Sequence, residues 1–173
     1  AEQPIALPAL TVQYADYAQW QRNGIDPLQP QLNYWTEQLA DLPALHNLPL
    51  DKPRPAVQSF AGQTLHRQLD HSTLAQFNQL CQSVGATLFM GLHTVFSVLL
   101  ARYSNDTDIV IGTPTANREQ PEIAHLIGFF VNTLVLRHDL SANPCFNDCL
   151  KQSRQTLLDA YAHQQCPFEL LVE

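Results

Sequence analysis

The 173-residue sequence predicts an α/β fold, on three observations. Two continuous apolar runs rich in Ile and Val, Asp108 to Thr113 and Phe129 to Arg137, have the composition of strands buried on both faces. Other segments repeat apolar residues every three or four positions, which is the period of a helix with one inward face. Strands separated by helices imply stacked layers of sheet and helix. A composition of 45% hydrophobic and 14% charged residues suits a packed chain rather than a disordered one.

Along the chain, Tyr14, Tyr17 and Trp20 stand three apart and put their rings on one side of a helix from Val12 to Arg22, stopped by Asn23-Gly24. A short helix is expected after Pro30, with Leu32, Trp35 and Leu39 as its apolar face. Pro43, Pro49, Pro53 and Pro55 make residues 41–61 an extended connection. Beyond it Leu65 and Leu69 alternate with His66 and Gln68, as in a half-buried strand from Gly62 to Asp70. Thr73 and Gln76 form a capping-box pattern at the start of a helix whose face is Leu74, Phe77, Leu80, Cys81 and Val84. Thr87 caps the next helix, in which Leu88, Leu92, Val95, Phe96, Leu99 and Tyr103 form a stripe that should be covered. Asn143-Pro144 opens a long helix with Phe146, Cys149, Leu150, Leu157, Ala160 and Tyr161 inward, and Pro167-Phe168-Glu169 can end one helix and begin another.

Several function classes are disfavoured. The net charge is -7 and the bases are scattered singly, so no patch for nucleic acid is present. Cys81, Cys145, Cys149 and Cys166 contain no CxxC pair and read as reduced core residues of a cytoplasmic protein. Cys145 and Cys149 lie one helical turn apart without a histidine to complete a metal-binding face, so no metal is expected. The opening AEQPIALPAL has no basic segment and no apolar core of a signal peptide, and the greasy stretch Leu88 to Ala101 is too short for a bilayer.

Three stretches carry a resemblance. Tyr14-Ala15-Asp16-Tyr17-Ala18-Gln19-Trp20 is similar to a YxDYAxW motif. Ile127-Gly128-Phe129-Phe130-Val131-Asn132-Thr133-Leu134, with Arg137 following, matches IGxFVNTxxxR. His163-Gln164-Gln165-Cys166-Pro167-Phe168-Glu169 looks like HQDxPFE, departing at Gln165, where an acid is usual. Gly112-Thr113-Pro114 to Asn117-Arg118 also resembles a GxPxxxR stretch. The first three, in this order, resemble the signature motifs of the condensation domains of nonribosomal peptide synthetases, and the resemblance covers nearly the whole chain.

The resemblance implies a chloramphenicol-acetyltransferase-like two-layer sandwich, one lobe of a two-lobed domain with its active site in a tunnel between the lobes. Residues 1–173 would be part of the C-terminal lobe, with 1–40 a helical lobe-junction segment and 41–61 the Pro-rich connection. It implies amide-bond formation between aminoacyl or peptidyl thioesters, delivered on the phosphopantetheine arms of carrier domains, with no cofactor bound covalently to this chain. Partners would be the N-terminal lobe, peptidyl carrier domains and adenylation domains. The family's HHxxxDG motif, whose second histidine orients or deprotonates the attacking amine, does not occur in these residues, so no catalytic residue is assigned and the chain alone is expected to be inactive.

Asn132, Thr133, Arg137, His163 and Phe168 are then the candidates for lining the tunnel or binding substrate. Tyr14, Asp16, Tyr17, Trp20, Gly128, Pro167 and Glu169 are candidates for a structural role. Two readings stay open for Asn132 and Thr133: polar groups paired with neighbouring backbone, or groups facing the pantetheine arm. Arg137 is either an ordinary strand-end cation or a partner for the other lobe. Alternatives are an epimerisation or cyclisation relative, or a noncatalytic module that docks a partner enzyme. Apolar surface exposed at a lobe interface would promote self-association.

Overall fold

The computed structural model describes residues 9–172. The opening stretch read for a signal peptide therefore lies, up to residue 8, outside the described residues. The elements are α1 (Tyr14–Asn23), α2 (Ile25–Gln38), α3 (His71–Ser83), α4 (Leu88–Ser104), β1 (Asp108–Thr115), a 3-10 turn (Pro121–Ile123), β2 (Asn132–Asp139), α5 (Phe146–Ala162) and α6 (Glu169–Val172). Among the described residues the sheet is a β1-β2 pair. Its strands are antiparallel: Arg137 reaches Asp108 near one end, and a Cβ on Gly112 would meet Thr133 near the other. The chain divides into two compact units, one of residues 1–40, 112–134 and 162–173, the other of 41–111 and 135–161.

In the first unit the core is aromatic. Tyr17, Ile123, Leu126 and Phe130 are buried, with Val12 and Tyr14 packed against them. Asp16 holds the start of α1 by accepting from the Gln13 N–H at 2.8 Å, one of the amides a helix N-terminus leaves unpaired. The helix expected after Pro30 instead begins at Ile25, and Pro30 lies inside it. Its anchor is Trp35, only 1% exposed, whose Nε1–H donates to the His163 carbonyl at 2.9 Å. Burial of this ring outweighs the single backbone bond that an internal proline removes.

The second unit packs α3 against α4, and β2 brings its buried residues Val135, Leu136 and His138 there. The Asp70 carboxylate caps α3, accepting from the Thr73 N–H at 2.8 Å, so the expected Thr73–Gln76 box is replaced by a cap three residues earlier. α3 ends at Ser83, and Gly85 follows at a φ of 68°, the left-handed conformation glycine adopts without strain.

Further expectations are corrected. The segment from Gly62 to Asp70 is not a strand, and Leu65 and Leu69 are 80% and 62% exposed. Alternation alone does not make a strand where no neighbour takes its backbone hydrogen bonds. The run expected as a strand from Phe129 begins at Asn132, with Phe129 and Val131 exposed and Phe130 turned into the aromatic core. The stripe on α4 is not covered. Leu92, Val95, Phe96, Leu99 and Tyr103 are exposed, and the buried face is Met90, Gly91, His93, Thr94, Ser97 and Ser104. Small residues win that face because they allow close approach. A Cβ on Gly91 would collide with the Cys81 sulfur and come within 2.9 Å of Phe77, while the Thr94 hydroxyl is satisfied by the Met90 carbonyl at 2.8 Å. On α5 the inward face is Cys149, Leu150, Ser153, Leu157 and Ala160, whereas Tyr161 is exposed, and Cys145, just before the helix, is exposed rather than a core residue.

Candidate functional site

Within the first unit a cleft of about 200 Å³ is lined by residues from all three sequence motifs. Tyr14 and Tyr17 come from α1, Phe129 to Asn132 from the approach to β2, and Pro167 and Glu169 from the start of α6, with Asn117 between them. These stretches are far apart in the chain, and specific contacts bring them together. The Tyr14 hydroxyl donates to the Phe129 carbonyl at 3.0 Å, and its ring meets Phe130 edge-on with centroids 5.1 Å apart. Tyr17 packs on Phe130 at 4.8 Å, and its phenol oxygen accepts from the Asn117 carboxamide at 3.2 Å. Burial raises the Tyr17 pKa, so the phenol stays neutral and protonated.

Gly128 is required by this packing. A Cβ there would stand 2.8 Å from Cγ of Tyr14 and 2.9 Å from Cε2 of Phe130, inside van der Waals contact. Trp20 is half exposed, stacked obliquely on Tyr17 at 5.8 Å, and borders an apolar hollow with Val12 and Ile123.

Asn132 is the junction between the second and third motifs. Its Nδ2 donates to the carbonyls of Gln164 and Cys166, both at 2.8 Å, while Oδ1 accepts from the amides of Thr133 at 2.9 Å and Phe168 at 3.0 Å. Two donors and two acceptor sites are the whole capacity of a carboxamide, so this side chain has nothing left to offer a ligand. What it does is hold the turn after α5 in place. Cys166, whose thiol is pushed up to about 11 by burial, is fixed from the other side by its amide donating to Gln31 Oε1 at 2.9 Å.

The other substrate-binding candidates are not among the residues that line the cleft. The Thr133 amide is taken by Asn132. His163 is stacked flat on Tyr34, centroids 3.9 Å apart and planes within 8°. Phe168 is half-buried beside the cleft-lining Pro167 and Glu169. Arg137 belongs to the second unit, where its guanidinium grips Asp108 with Nε at 3.0 Å and Nη2 at 2.8 Å, and this carboxylate raises the Arg137 pKa.

Two residues outside the sequence-derived site candidates matter here. Arg118 donates through Nη1 to the carbonyls of Ile123 at 2.7 Å and Leu126 at 2.8 Å, and its guanidinium lies 4.2 Å from the Phe130 ring centroid. Glu119 accepts from the carboxamides of Gln164 at 2.7 Å and Gln165 at 2.9 Å. The Gly112 to Arg118 stretch was a signal for the first; only three-dimensional proximity reveals the second. Among the described residues no group of three His, Cys, Asp or Glu side chains could hold a metal ion, and no single helix is long and apolar enough to cross a membrane.

The architecture is an α/β fold of the chloramphenicol-acetyltransferase-like kind. The X-domain from teicoplanin biosynthesis superposes with a TM-score of 0.89 at 30% identity, covering 95% of this chain and 38% of that one. A four-domain nonribosomal peptide synthetase bound to AMP and glycine gives 0.80 at 32% identity, covering 83% of this chain and 11% of that one. The condensation-domain family model matches residues 1–173, and the chain belongs to that family. A linear gramicidin synthase of Brevibacillus parabrevis is 49% identical over 99% of this chain, which spans 3% of that relative. A phosphinothricin tripeptide synthetase of Streptomyces viridochromogenes is 45% identical over 96% of this chain, spanning 16% of that protein.

Proposed function

We propose that this chain is the C-terminal part of a condensation domain of a nonribosomal peptide synthetase, and that it supplies one wall of the site where an acceptor amine attacks a donor thioester. The observation that carries the reading is the cleft on which residues of all three motifs converge. In this role the chain carries no general base. Its buried aromatic core and the Asn132-anchored turn form a preorganised surface against which a pantetheine-borne substrate is oriented. The reacting imidazole comes from an HHxxxDG segment, and carrier domains, charged by adenylation domains, bring both substrates on phosphopantetheine. A cytoplasmic location goes with this reading and is supported by the buried free thiols Cys81, Cys149 and Cys166.

The test joins this chain behind an upstream segment bearing HHxxxDG and supplies donor and acceptor carriers loaded with amino acids. Dipeptidyl carrier detected by mass spectrometry with the joined protein, and none with the 173-residue chain alone, is the expected result. Product from the chain alone would overturn it.

A second reading is a noncatalytic docking module. It is favoured by the match to the X-domain in complex with OxyB, with a TM-score of 0.90 at 29% identity. The residues encoded upstream decide between the two, since an intact HHxxxDG supports condensation and a degraded one supports docking. The exposed α4 stripe of Leu92, Val95, Phe96 and Leu99 supports one further element of the proposal, that the chain by itself self-associates. Light scattering coupled to size exclusion, showing a monomer at high concentration, would refute that element.

A further inference from the structure

The turn from His163 to Phe168 is held largely by side chains. Its carbonyls at Gln164 and Cys166 and its amide at Phe168 are taken by Asn132, and its amide at Cys166 by Gln31. Two carboxamides of the turn itself, Gln164 and Gln165, then point to one acceptor, Glu119. The direction of every bond is fixed by its neighbours. Gln164 Oε1 already accepts from the Thr115 hydroxyl at 2.8 Å, and Gln165 Oε1 faces the Gln31 Nε2 at 3.5 Å. Each glutamine therefore presents its NH2 to position 119, and position 119 must accept from both.

We infer that Glu119 and Gln165 are a matched pair, in which a negative charge can sit at either position but not at both, and that through this pair Glu119 positions the turn bearing His163 and Phe168. An acid at 165 beside Glu119 would set two acceptors and two like charges about 3 Å apart, removing a hydrogen bond and adding repulsion. Transposing the residues restores every match. Gln at 119 accepts from Gln164 through Oε1 and donates through Nε2 to Glu at 165, which still accepts from Gln31. The use of the turn in peptide-bond formation rests on the condensation reading; the pairing itself does not, so it is tested on this chain without any turnover assay.

Thermal unfolding and amide hydrogen exchange are measured at about pH 7.5 and about pH 4, each variant against the unsubstituted chain at the same pH, to bracket carboxyl titration. Gln165→Glu should lower Tm by about 2–4 °C at the higher pH and lose about tenfold protection at the Cys166 and Phe168 amides. Most of that loss should vanish at the lower pH, where one carboxyl carries a proton and donates. The double variant Glu119→Gln with Gln165→Glu should match the unsubstituted chain at both values. Gln165→Met, which removes the bond without adding charge, should show a smaller loss that does not change with pH. A transposed variant no better than Gln165→Glu, or a Gln165→Glu loss independent of pH, would overturn the pairing; if Gln165→Glu does not fold, the transposed variant and Gln165→Met still decide it.

Discussion

Replacing Asn132 by Asp exchanges one NH2 for an oxygen and leaves the shape of the side chain unchanged. The two bonds accepted by Oδ1, from Thr133 and Phe168, survive. The two donated by Nδ2 to the Gln164 and Cys166 carbonyls become contacts between acceptors at 2.8 Å. Two lost hydrogen bonds at about 1 kcal/mol each, with two carbonyls left in a poorly hydrated site, amount to about 3–5 kcal/mol. The carbonyls disfavour the carboxylate, so the folded pKa of the introduced acid is raised. Its penalty is full above that folded value and shrinks as pH falls through it toward the ordinary carboxylate value of about 4, where the protonated acid donates to one carbonyl. Urea unfolding followed by circular dichroism should therefore show a midpoint lower by about 2 M near neutral pH, with much of the loss recovered in acid. A variant within about 0.5 kcal/mol of the unsubstituted chain at neutral pH, or one whose deficit deepens on acidification, would refute the saturated clamp.

Acid should weaken the second unit for a separate reason. His93 and His138 are buried with rings stacked 5.9 Å apart, His93 bonded to the Ser153 hydroxyl, and burial lowers both pKa values, that of His93 to about 4. Because the unfolded imidazole titrates near 6.5, the contribution of His93 is fully present above that value and is lost as pH falls toward 4, about 3 kcal/mol in all. His93→Gln should flatten the stability profile between these limits, and an unchanged profile would contradict the assignment. Gly128→Ala should destabilise the aromatic core by about 1–3 kcal/mol, seen as a lower urea midpoint with near-ultraviolet dichroism altered before unfolding. Arg118→Lys keeps the charge but cannot reach the Ile123 and Leu126 carbonyls with the same planar group, so it should cost about 1–2 kcal/mol; equal stability would show that charge alone matters there.

The family was legible in the letters of three motifs, and the helices in their periods. α1, α3, α4 and α5 follow from side-chain spacing because a helix satisfies its own backbone and needs only one covered face. What the letters could not give is which residues meet. Asn132 in an apolar run can be read as a ligand contact or as a clamp, and only the return of the chain at Gln164, Cys166 and Phe168 shows its four hydrogen bonds all spent.

Tertiary structure alone decided three further matters. It put the large apolar residues of α4 outward, since Gly91, Thr94 and Ser97 permit the closer packing, and periodicity cannot rank two faces of a helix that is apolar all round. It left Leu65 and Leu69 exposed, because a strand depends on a partner distant in sequence. It also joined Glu119 to Gln164 and Gln165, more than forty positions on. Local propensity and motif are properties of neighbouring residues, whereas hydrogen-bond saturation and burial depend on the whole path of the chain.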